Sequence, residues 1–160
     1  MSFFIFGCFN PGGAGLIKGY KYQCTKDELE KAIIIVLNSS KNIYRDTTKN
    51  YIHEVINGKT DSINDNYYND GKNYWTIKIK TGDQENEYIF RFYGDEECWK
   101  TSPTSEIFIV YAYDKNGKGG QEGSKDLDKE LRDKLTTNFE SEFIGRIDMQ
   151  LHLTHTTQVN

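Results

Sequence analysis

The side chains in this sequence that could do chemistry are few and scattered. His152 and His155 stand three apart, a helical spacing that lets two imidazoles share a metal, with Asp148 in reach. They fall in a polar C-terminal stretch that reads as a frayed tail, so no metal is expected there. The loop Asn116-Gly-Lys-Gly-Gly-Gln-Glu-Gly123 lies between an expected strand and an expected helix, where phosphate sites form. It lacks the closing Gly-Lys-Ser/Thr of a P-loop, and Glu122 occupies the third glycine position of a dinucleotide loop. Asp126 and Asp128 just beyond it repel phosphate, so the loop reads as a connector. Asp114-Lys-Asn116-Gly117 resembles the start of a calcium loop, but Lys118 replaces a ligand and no closing Glu follows. Asp95-Glu96-Glu97 reads as a solvated turn. No Gly-x-Ser-x-Gly occurs, and none of the 24 Asp and Glu residues singles itself out as an acid–base pair. The expectation is a chain without catalytic residues, cofactor or metal.

The three cysteines carry the sharper signal. Cys8 follows a short apolar run, Met-Ser-Phe-Phe-Ile-Phe-Gly, and the stretch after it, Phe9 to Gly15, reads as small, flexible and uncharged. A lipid-acceptor cysteine follows an Ile or Leu, then a small residue. Ile5, Gly7 and Cys8 keep that order, although Phe6 is bulky for its place and no basic residue precedes the run. On this reading Cys8 is the lipidation site and residues 1–15 comprise signal remnant and tether. The other reading makes residues 3–6 a buried strand and Cys8 a structural cysteine. Lipid on Cys8 leaves Cys24 and Cys98 as an even pair in an oxidising compartment. A bridge between them closes a loop of about 75 residues and contributes up to ~4 kcal/mol on the chain-entropy model. Two separate buried thiols are the alternative.

The elements that must position these residues belong to one domain. One hundred and sixty residues suit a single core, expected over 16–150 with 151–160 as the polar tail. Charged residues make up 28% and apolar ones 36%, so burial has to come from eleven Tyr, nine Phe and two Trp. Net charge is −4 with both signs interspersed, which argues against nucleic acid as a partner. No apolar run approaches the ~18–20 residues of a membrane span, so contact with a membrane would run through the lipid anchor.

Thr25-Lys-Asp-Glu28 is a capping box that opens a helix with Leu29, Ala32, Ile33, Val36 and Leu37 as its stripe. Ile34 and Ile35 widen that stripe and predict packing on more than one side. Leu16–Tyr22 reads as a short strand. The stretch 43–56 fits helix or strand equally, and 57–72 reads as a polar loop. Three strands follow at 74–80, 87–93 and 106–113, with period-two alternation and short connections, hence an antiparallel meander. In the third, Ile107, Ile109, Tyr111 and Tyr113 are expected on one face. A long helix from Ser124 to Met149 carries Leu127, Leu131, Leu135, Phe139, Phe143 and Ile147, with a bend expected at Gly145. The fold class is α+β: two helices packed on one face of an antiparallel three- to four-stranded sheet. Tyr74, Tyr93, Tyr111 and Tyr113 are the candidate interaction surface.

Tyr20-Lys-Tyr22, Thr25 with Glu28-Leu29 and Ala32-Ile33, the Tyr- and Trp-bearing lead into the meander, and Leu131 to Phe139-Glu-Ser-Glu-Phe143-Ile144 to Ile147 together resemble short uncharacterised lipoproteins of Gram-negative bacteria. The helix–meander–helix order is also similar to helix-grip lipoprotein domains of outer-membrane assembly machinery, by analogy only. The resemblance implies an envelope protein, membrane-anchored, with its domain in the periplasm or at the cell surface. It brings no catalytic residues. The expected role is non-enzymatic binding of a protein partner, or a structural one. A periplasmic immunity protein that masks a basic toxin site, and a small envelope enzyme or ligand carrier, are the alternatives.

Overall fold

The computed structural model of the chain describes residues 15–46, 52–56, 59–63 and 74–158. The elements run β1 (Lys18–Tyr22), α1 (Lys26–Ser39), β2 (Ile43–Arg45), β3 (Ile52–Ile56), β4 (Lys59–Ile63), β5 (Tyr74–Thr81), β6 (Gln84–Phe92), α2 (Glu96–Thr101), β7 (Ser105–Tyr113), β8 (Gly119–Gly120), α3 (Lys129–Phe139), a π-helical turn (Glu140–Ile144), α4 (Gly145–Leu151) and β9 (Thr156–Gln158). The class is α+β, as the patterning predicts, but the sheet is larger than three or four strands. Seven strands form it in the order β2-β5-β6-β7-β1-β9, with β8 against β7, and neighbouring strands run antiparallel. β3 and β4 make a separate two-stranded sheet.

The added strands come from stretches read as loop or left ambiguous. β2 is three residues beside β5, too short to show a period. β3 and β4 pair antiparallel on either side of the Asn57-Gly58 dipeptide, a hairpin signal that the polar surroundings outweighed. Residues 154–160 read as a frayed tail, yet Thr156–Gln158 pair with Gly19–Lys21 of β1. The acidic loop after β6 contains a helix, α2, whose N-cap Asp95 accepts from the backbone N–H of Cys98 at 2.9 Å.

One face of the sheet supplies the core: Tyr20, Tyr22, Trp75, Ile77, Ile79, Tyr88, Phe90, Phe92, Ile107 and Ile109 are buried against α1 and the C-terminal helix. The capping box forms as read, with the Glu28 carboxylate on the Thr25 N–H at 2.8 Å. Leu29, Ala32, Ile33 and Val36 turn inward. Ile34 and Ile35 do not extend the buried stripe; they are 42% and 45% exposed on the flanks of the helix.

The long helix starts later than expected. Asp128, not Ser124, is its cap, and accepts from Leu131 N–H at 2.9 Å. Its apolar residues recur every fourth position, a period longer than the 3.6 of an α-helix, so a straight helix would rotate the stripe out of the core. The π-turn at 140–144 absorbs that drift. Phe139 before it, Phe143 and Ile144 within it, and Ile147 after it are all buried. Gly145, where a bend is expected from sequence, has ordinary helical dihedrals (φ −59°, ψ −32°) and directly follows this turn.

Candidate functional site

Of the two readings of Cys24 and Cys98, a mutual bridge or two separate buried thiols, neither describes both residues. Cys24 is a free, buried thiol 3.6 Å from Ser105 Oγ, and burial pushes its pKa up, with the Ser105 contact pulling against it. Cys98 is disulfide-bonded. The Cys24–Cys98 bridge is thus excluded: Cys24, just before the N-cap, is turned onto Ser105 of β7 instead. The third cysteine, Cys8, lies outside the described residues.

The four candidate tyrosines do share a face, the one opposite the helices. Tyr74 pairs with Arg91 across β5 and β6, and Arg91 pairs with Phe108 across β6 and β7. The Arg91 guanidinium lies 5.3 Å from the Tyr74 ring and 5.2 Å from the Phe108 ring. It donates to Tyr74 Oη at 3.2 Å. Phe108 meets Tyr93 edge-on at 6.3 Å. The result is a row, Tyr74–Arg91–Phe108–Tyr93, in which one guanidinium lies between two aromatic rings and a third ring follows. Tyr111 and Tyr113 stack on each other at 6.3 Å and 5°. They reach this face through a β-bulge. Ile89 pairs with Tyr111 but Phe90 pairs with Ile109, so β7 carries one extra residue and its alternation flips. Ala112 points inward and Tyr111 and Tyr113 outward, contrary to the unbroken alternation expected from sequence.

Arg91, Glu106 and Phe108 were not singled out by the sequence, since each looks like an ordinary outward residue of its strand. All three are only 8% exposed. Glu106 sits over Gly19, where a β-carbon would fall 2.5 Å from its Oε1. Burial raises its carboxyl pKa, and Lys21 only partly offsets that.

A second cluster gathers where β1, the π-turn, α4 and β9 meet. Tyr22 donates to Asp148 Oδ1 at 2.9 Å, and His155 Nδ1 stands 2.9 Å from Asp148 Oδ2. Tyr20 donates to Glu140 at 3.2 Å, and Lys18 pairs with the same carboxylate. The His155 ring lies edge-on to Tyr20 at 5.4 Å. Burial, then the neighbouring carboxylates, push the Tyr20 and Tyr22 hydroxyl pKa values far up, so both phenols remain proton donors. The His–Asp contact resembles the orienting half of a nucleophilic triad, but no Ser, Thr or Cys hydroxyl or thiol joins it through a hydrogen bond among the described residues. His152 does not join His155: it caps α4 in the left-handed conformation with φ 54° and is exposed.

The glycine-rich loop has a structural account. Gly119 and Gly120 pair with Tyr113 and Ala112, and Asp114 Oδ1 accepts from the Asn116 and Lys118 N–H groups at 2.9 Å each. Among the described residues no group of three or more His, Cys, Asp and Glu is placed to hold a metal, and no helix is long and apolar enough to cross a membrane. No family model, curated protein or solved structure matches the chain.

Proposed function

We propose that this chain is a bacterial cell-envelope protein with a non-enzymatic binding role. It is held at a membrane by lipid on Cys8 and meets a protein partner through the outer face of its sheet. The observation that supports binding is the composition of that face. Four half-buried tyrosines share it with Arg91 and Phe108 on three adjacent strands. Tyr gives large contact area at low conformational cost, and Arg adds directional hydrogen bonds. The disulfide at Cys98 supports an oxidising compartment.

The surface is tested with Tyr111→Ser/Tyr113→Ser in one chain. Wild type is expected to retain an envelope protein saturably, and the double variant to lose it while melting within a few degrees of wild type. Equal retention by both contradicts the assignment. The anchor is tested separately by fractionating cells that carry Cys8→Ser; a variant still in the membrane pellet contradicts it.

The oxidation states favour a second reading of the attachment. Lipidation makes the Cys8 sulfur a thioether, which cannot enter a disulfide. Cys24 is a free thiol, so an unlipidated Cys8 is the remaining cysteine of the sequence that could bond Cys98. In that reading the protein occupies the same oxidising side without an anchor. Within one molecule the two readings exclude each other, and intact mass separates them.

A further inference from the structure

We infer that β9 is a latched strap: it opens from the sheet edge independently of the domain, and His155 on Asp148 is its catch. The chain is fixed as far as Leu153, which is partly buried against the core and whose N–H donates to Asp148 O at 3.2 Å. Beyond that point, among the described residues, β9 has one strand neighbour, β1, over three register positions. The Thr156 and Thr157 side chains are exposed, so no apolar side chain of theirs holds the strand down. His155 is the side-chain fastening. Its Nδ1 lies 2.9 and 3.2 Å from the two Asp148 oxygens, and its ring meets Tyr20 and Tyr22 at 5.4 and 6.1 Å.

The catch is built from three elements. Asp148 comes from α4, Tyr20 and Tyr22 from β1, and Glu140 with Lys18 closes the far side of Tyr20. Because Tyr22 also donates to Asp148, the carboxylate stays oriented when His155 leaves, and the catch can re-engage. Opening uncovers the backbone of Gly19–Lys21, which then becomes the edge among the described strands.

Amide hydrogen exchange of the full chain by NMR tests this. In wild type the β9 amides should exchange faster than those between β6 and β7. His155→Ala should speed β9 exchange by about tenfold or more while leaving β6 and β7 unchanged. His155→Phe, which keeps a ring beside Tyr20 but has no N–H for Asp148, should also speed it. Exchange of β9 at the same rate as β7, no effect of either variant, or an equal rise across the whole sheet would each overturn the inference.

Discussion

Glu106 shows how much a single buried group weighs in this domain. Its carboxyl is buried on the outer sheet face, and its pKa is raised by that burial despite Lys21. A carboxyl with a raised folded-state pKa favours the folded state only while protonated. That contribution is complete below the unfolded pKa and disappears as pH rises through the folded one. At neutral pH the ionised Glu106 therefore costs stability. Glu106→Gln is expected to raise Tm at pH 7 by about 2–4 °C, the size of a ~1 kcal/mol change in a domain of this length. The gain should shrink as pH falls toward about 4.3, the ordinary Glu range. A lower Tm for the variant at pH 7 would show that Lys21 outweighs burial. Nothing in the sequence marks Glu106. It is one of 24 acidic residues, and its burial follows from neighbours far along the chain.

At the scale of elements, the strongest local signals formed the elements they announce. The Thr25 capping box, the Trp75/Ile77/Ile79 alternation and the period-four stripe each carry several agreeing residues. Single-residue irregularities were not legible. The bulge opposite Ile89 and Phe90 turns Tyr111 and Tyr113 outward, and alternation alone gives no warning of it. The short strands β2, β8 and β9 are defined by their partners rather than by their own patterns. Gly119 illustrates the point. Its φ is +145°, and a β-carbon there would lie 2.0 Å from Ala112 O. Gly119→Ala should force β8 off β7, at about 2 kcal/mol or more. Gly123→Ala, with open space around it, should cost less, only the left-handed strain of about 1–2 kcal/mol. Urea denaturation of the pair checks the order, and equal losses would mean that the β7–β8 contact is not what requires the glycine.

For the whole molecule, the two-layer arrangement followed from the aromatic strands and two apolar helix faces, because little else in a chain of 36% apolar residues could form a core. The placement of the four tyrosines on one face was legible in part, since Tyr74 and Tyr93 keep their strand alternation. The cysteine pairing was not. It depends on distances across the fold, and Cys24 turns to Ser105. The central functional claim is that this protein works in an oxidising envelope compartment. The most direct test is to trap free thiols in cells, purify the native protein without reductant, and measure its intact mass and cysteine-containing peptides. In either reading Cys98 is expected to be protected in a disulfide and Cys24 to be modified only after unfolding. Acyl mass with Cys98 bonded to another chain supports the anchored reading, and a Cys8–Cys98 peptide supports the unanchored one. A Cys98 trapped as a free thiol in an unlipidated chain would contradict the envelope assignment altogether.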